Sequence, residues 1–301
     1  MKNLKGSFLL LIAAFIWGTS FVAQSSAADS IEPFTFNAVR SFVGSLFLII
    51  VIYIKKLFIR NQEIKPSYTK KQLVVGGICC GIALFVASNF QQAGITMYPD
   101  GVASSGRAGF ITAMYVVMVA LCGILTGKKF HPIIPLASLI AVFGMYLLCL
   151  SGGISGIYLG DVLVFICAIG YTVHILVIDK FSYLDGIKMS CIQFIVAGIL
   201  STASALIFES SDINSIISAL FPIIYTGILS SGIAFTLQII GQKYAAPAVA
   251  SIVMSLESVF AVLGGWVVLN EHLSLRELIG CGVVFSAVIL AQVPDLIKKK
   301  A

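Results

Sequence analysis

Ten separate runs of about 20 apolar residues dominate this chain, and they constrain its fold more than any motif does. They lie near residues 6–26, 34–54, 73–95, 101–125, 133–150, 159–179, 188–208, 215–240, 246–269 and 275–293. A hydrocarbon layer of roughly 30 Å takes about 20 residues of helix to cross, and in lipid every backbone N–H and C=O must be satisfied within the segment. The runs therefore predict membrane-spanning α-helices. With 59% hydrophobic and 11% charged residues among 301, and a mean hydropathy of +1.04, no water-soluble core could hide so much apolar surface. The expected class is an all-α membrane protein with ten transmembrane helices.

The charge distribution orients them. If the N-terminus is cytoplasmic, the connections carrying Lys55, Lys56, Arg60, Lys65, Lys70, Lys71, Lys128, Lys129, Lys180, Lys188 and Lys243 all lie inside, together with Lys2, Lys5 and Lys298 to Lys300. Only Arg276 falls outside, and Arg40 and Arg107 fall within spans. This bias predicts a multi-pass protein of the inner (plasma) membrane with both termini cytoplasmic. The net charge of +6 thus reports orientation and calls for no nucleic-acid partner; membrane lipid is the expected neighbour. The opening MKNLKGSFLLLIAAFIWG has the basic start and apolar stretch of a secretory signal, but the internal repeat requires this helix, so it reads as the first span. Seven cysteines, all within predicted spans and without CxxC spacing, read as small buried residues rather than disulfides or a metal site.

That repeat is visible at 147 residues' separation, where Gln91, Gly94, Val102, Ala103 and Ser104 recur as Gln238, Gly241, Val249, Ala250 and Ser251. In a second register Gly6, Leu9 and Ala14 recur as Gly160, Leu163 and Ala168, with Trp17 falling on Tyr171. Both registers give five spans per half. Five is odd, so the second half enters the membrane in the opposite sense, predicting two inverted five-helix repeats, residues 1–153 and 154–301, around a central cavity near the midplane. The glycine-rich stretch Ser151 to Gly160 is the expected junction.

Four stretches carry a resemblance: WGTSFVAQ at Trp17 to Gln24, PFTFNAVRSFVG at Pro33 to Gly44, AGFITAMYVVMV at Ala108 to Val119 and SLESVFAVLGGWVVLNEHLS at Ser255 to Ser274. The chain resembles the EamA-type permeases of the drug/metabolite transporter superfamily over essentially all ten spans. The resemblance implies a ten-helix, two-repeat transporter of metabolites, amino acids or drug-like compounds, its cavity lined mainly by spans 1, 3, 4, 6, 8 and 9. The chain has Glu257-Ser258 where that family often has Glu-Pro, and Gly127-Lys128 where it often has Gly-Glu. A proline-dependent bend in span 9 is therefore not implied.

Charged side chains at membrane depth cost roughly 2.5–3.5 kcal/mol on insertion scales, so each asks for a role. Glu257 lies near the middle of span 9, about 18 Å deep by helical rise, and reads as a proton-coupling or solute-contacting group or as a helix tie. His174 in span 6 titrates in a useful range and leans toward the depth of Glu257, making it the second proton-coupling candidate. Arg107 in span 4 reads as meeting an anionic solute group or snorkelling outward, and Arg40 in span 2 as structural. Trp17, Ser20 and Gln24 share a face of span 1; Asn89, Gln92 and Thr96 share a face of span 3. Tyr171 and Gln238 complete the expected lining.

No nucleophile elbow, HExxH, phosphate loop or metal-ligand spacing occurs, so no enzyme, cofactor or metal is expected. The expected function is secondary transport of a small solute by alternating access, with proton coupling as one mode. A channel for small polar solutes and a solute-binding protein that does not translocate are the alternatives.

Overall fold

The computed structural model describes residues 2–28, 30–58, 68–99, 104–127, 131–149, 157–210, 212–269 and 274–297; the side chains of 2–3, 104–107, 148–149, 264–269, 277, 292 and 294–297 lie outside the description. Every element is helical: α1 (Lys2–Ala28), α2 (Pro33–Phe58), α3 (Lys70–Thr96), α4 (Ser104–Thr112), α5 (Tyr115–Leu125), α6 (Ile133–Cys149), α7 (Leu159–Lys180), α8 (Gly186–Phe208), α9 (Ile213–Ser218), α10 (Leu220–Tyr225), a π-helical stretch Thr226–Ala234, α11 (Phe235–Gly241), α12 (Pro247–Met254), α13 (Leu256–Leu269) and α14 (Leu275–Ile297). In the described residues seven helices are long and apolar enough to cross a membrane, and three shorter apolar ones, Ile133–Leu147, Pro247–Leu263 and Leu278–Ala291, occupy the remaining predicted spans. Spans 1 to 3 are α1 to α3, span 4 is α4 with α5, and spans 5 to 7 are α6 to α8. Span 8 runs from α9 or α10 to α11, span 9 is α12 with α13, and span 10 is α14.

The molecule is apolar outside and polar inside, the distribution that lipid imposes. Leu46, Ile49, Ile50, Tyr53 and Leu57 on span 2 are exposed, whereas Gln24, Asn37, Arg40, Gln92, Gln193, Gln238 and Glu257 are buried. Packing between spans is symmetric when the halves are exchanged. Spans 2 and 7 pack together, as do spans 5 and 10, and these pairs map onto themselves. Span 3 packs on spans 6 and 7 as span 8 packs on spans 1 and 2, and span 6 meets span 4 as span 1 meets span 9. The predicted junction at residues 151–160 lies largely outside the described residues, which resume at Ile157.

Three spans depart from regular α-helix where they approach the centre. Span 4 breaks between Thr112 and Tyr115, where Met114 and Val116 donate three residues back, to Ile111 and Ala113. Span 9 breaks at Ser255, whose hydroxyl donates to the Ile252 carbonyl at 2.7 Å and whose own carbonyl receives the Ser258 N–H at 3.2 Å. This break carries serines at Ser251, Ser255 and Ser258 and no proline between them. Span 8 carries the nine-residue π stretch, and small residues seat it: a Cβ on Gly227 would lie 3.0 Å from the Arg40 carbonyl oxygen.

Candidate functional site

The breaks surround one central cavity, lined by Trp17, Phe21, Gln24, Arg40, Gln91, Thr112, Tyr115, Tyr171, Ile175, Ser230, Phe235, Gln238, Met254 and Glu257. It leaves about 40 Å³ for the centres of water molecules. One ordered water needs roughly 10–15 Å³ by that measure, so the cavity admits a few waters and is contracted relative to a metabolite. A solute of that size enters only if the spans move apart.

Two ionisable side chains of opposite type, a guanidinium and a carboxyl, sit in its wall. Arg40, 5% exposed, donates from Nη1 to Gln24 Oε1 at 3.1 Å and places its guanidinium 5.4 Å from the centre of the Phe36 ring. Glu257, 6% exposed, accepts from the Tyr115 hydroxyl at 3.2 Å. Each group is thus bonded to a neutral partner. A Cβ on Gly18 would lie 2.7 Å from the Glu257 carbonyl oxygen, so the glycine lets span 1 press against the backbone that carries the carboxyl.

The remaining wall is a set of amides and rings. Tyr171 donates its hydroxyl to Gln91 Oε1 at 3.3 Å, and Gln91 Nε2 donates to Thr112 Oγ1 at 3.3 Å. Trp17 stacks edgewise on Phe235, with ring centres 4.8 Å apart. Two buried polar atoms of the wall, Trp17 Nε1 and Gln238 Oε1, have no hydrogen-bond partner among the described residues. A donor and an acceptor left over in one cavity suit a polar ligand or water. Gln91 and Gln238, matched in the internal repeat, both reach the cavity, as do Trp17 and Tyr171.

Of the residues expected to line the site, Trp17, Gln24, Tyr171, Gln238 and Glu257 do so. Ser20 does not: its hydroxyl turns back onto the Ile16 carbonyl at 2.7 Å. Gln92 is fully buried one position past the lining residue Gln91 and donates to the Gln24 carbonyl at 3.3 Å, tying span 3 to span 1. Asn89 belongs to a separate amide cluster, accepting from Asn37 at 3.0 Å and donating to Ser201 at 2.9 Å. His174 faces span 7, its Nε2 3.1 Å from Gln193 Oε1 and its ring edge-on to Phe235. Its Nδ1 has no hydrogen-bond partner among the described residues. The side chain of Arg107 lies outside the described residues.

Arg40 is the main correction. Span 2 was not expected to reach the cavity and its arginine was read as structural, yet the guanidinium is part of the wall. Tyr115 and Thr112 were also missed; they lie within the stretch AGFITAMYVVMV, and the span 4 break brings both to the cavity. A signal for Gln91 existed in its repeat match to Gln238.

Residues 4–150 and, separately, 158–292 match the EamA-like transporter family. The chain belongs to that family. Its similarity extends to a protein of Archaeoglobus fulgidus named as an uncharacterized transporter, 28% identical over 96% of this chain and 86% of that protein. The uncharacterized transporter YoaV of Bacillus subtilis is 24% identical over 91% of this chain and 94% of its own length. The uncharacterized inner membrane transporter YedA of Escherichia coli K12 is 23% identical over 96% of this chain and 91% of its own. A crystal structure shares the fold with a TM-score of 0.77 at 20% identity, covering 95% of this chain and 98% of that one. The chain is accordingly a membrane transporter of the EamA-like family.

Proposed function

We propose that this transporter is a secondary carrier for a small amphoteric solute of amino-acid size, moved by alternating access. Arg40 receives the anionic group, and the Tyr115 and Glu257 pair receives an ammonium group or a proton. The observation that carries this reading is the placement of Arg40 and Glu257 in one cavity wall, each bonded to a neutral side chain and neither to the other, so that a guanidinium and an ionisable carboxyl face one ligand space. A carrier is favoured over a channel because the cavity is contracted and backed by Leu10, Ile175, Val253 and Met254, buried members of one apolar cluster.

A thermal-shift screen of the purified protein with amino acids, nucleosides and cationic drugs tests it. A bound solute at 100 times its Kd stabilises the folded state by about 2.7 kcal/mol, enough for a clear rise in Tm. Zwitterionic amino acids are expected to give that rise, and Arg40→Met to abolish it. Stabilisation by cationic drugs alone, unchanged in Arg40→Met, would overturn the amphoteric reading.

A further inference from the structure

We propose that Lys243 is the latch of an inner crevice: its ammonium, on the connection between spans 8 and 9, donates to the Leu184 carbonyl on the connection between spans 6 and 7, and releasing that bond opens the inner crevice as an outer one closes. The inference rests on the carrier reading above.

It follows from an asymmetry between two places that the internal repeat makes equivalent. On the side assigned to the outside, a depression of about 720 Å³ lies between the end of span 1, the start of span 2, the end of span 3 and the connection that follows span 7, with Ala28, Glu32, Thr96, Met97, Ser210 and Asp212 in its wall. Its wall residue Ala28 lies one helical turn beyond Gln24, which lines the cavity. The repeat registers carry Ala28 to Pro33 onto Ser182 to Ile187, and Thr96 and Met97 onto Lys243 and Tyr244.

At that second place the crevice is shut. Leu184, Ile178 and Ile239 are buried in one apolar cluster with Met189 and Cys80. A Cβ on Gly186 would already lie 2.9 Å from Ile240. Gln242 Nε2 donates to the Ile175 carbonyl at 3.1 Å, and Lys243 crosses to Leu184 with the Asp185 carboxylate close by. Among the described residues Thr96, the outer counterpart of Lys243, makes no bridge; its hydroxyl returns to its own helix at the Ala93 carbonyl, 2.9 Å away. One crevice is open and its counterpart is bridged. In an inverted repeat the alternative state is reached when the two exchange conformations, and the group that bridges only the closed side is the one whose release permits it.

Hydrogen exchange on the full-length protein in nanodiscs tests this without labels, comparing the parent with Lys243→Ala and Lys243→Arg. Losing a charge-assisted hydrogen bond moves a two-state equilibrium by about tenfold or more. In Lys243→Ala, amides of 176–188 and 236–246 are expected to exchange several-fold faster and those of 30–36 and 92–98 several-fold slower, with Lys243→Arg close to the parent. Faster inner exchange without slower outer exchange would make Lys243 a simple loop tie and overturn the latch, as would no change at either site. The carrier reading fails separately, if no solute stabilises the parent protein; reciprocal exchange would then still stand.

Discussion

A methyl group built on Gly6 would lie 2.8 Å from the carbonyl oxygen of Gly241. One built on Gly160 would lie 2.7 Å from the carbonyl of Gly94, and these four residues are related by the internal repeat. Span 1 thus crosses span 8, and span 6 crosses span 3, through matched backbone contacts that only glycine permits. Gly6→Ala and Gly160→Ala should each cost ~1–3 kcal/mol, lowering the Tm in detergent by several degrees and by similar amounts. Gly282→Ala, with nothing within 4 Å, should leave it unchanged. A large effect at only one of the paired glycines would show that the two crossings are not equivalent.

Spans 2 and 7 are fastened where span 2 begins and span 7 ends. Glu209 accepts from the Phe34 N–H at 2.6 Å and from the Thr35 N–H and hydroxyl at 2.7 Å, capping span 2, while the Ser210 N–H donates to Glu32 at 2.9 Å. Glu209→Ala should cost ~1–2 kcal/mol, read as a lower Tm and faster hydrogen exchange at the start of span 2. Solute binding in the cavity should persist, because these spans remain packed along their length. Loss of binding with an unchanged Tm would contradict that separation.

The spans were legible because lipid leaves helices few alternatives, and a run of 20 apolar residues signals its own length. The rotation of each helix was less legible. Successive residues turn by about 100°, so a stripe through Trp17, Phe21 and Gln24 leaves Ser20 at its edge, where its hydroxyl bonds back to Ile16, and one through Tyr171 and Ile175 leaves His174 on the flank toward span 7. Depth could be counted along the chain, but azimuth depends on neighbours that one helix does not encode. Arg40 entered the cavity for the same reason. The π stretch in span 8 has no signature in TGILSSGIA beyond small residues, yet it sits between Arg40 and Gln238 and sets how α11 faces the cavity.

The lysines and arginines of the connections predict the orientation of the whole bundle. Reporter fusions after Lys71 should report the cytoplasm and one after Asp212 the outside. A periplasmic signal at Lys71 would reverse the assignment of inner and outer crevices.

Glu257 allows the most direct test of coupling. A carboxyl buried midway along span 9, with one hydroxyl donor from Tyr115, is costly to keep charged unless water, a proton or a cationic group reaches it. Its charge therefore follows access to the cavity, which the proposed exchange of crevices would change. Glu257→Gln keeps the shape and an acceptor for Tyr115 but cannot titrate, so the variant should insert, fold and bind solute. In proteoliposomes it should retain downhill exchange of a radiolabelled neutral amino acid and lose accumulation driven by a pH gradient, a drop of tenfold or more on the order of one pH unit of driving force. Accumulation equal to the parent between roughly pH 5.5 and 8 would remove Glu257 as the coupling group and leave it a tie between spans 4 and 9.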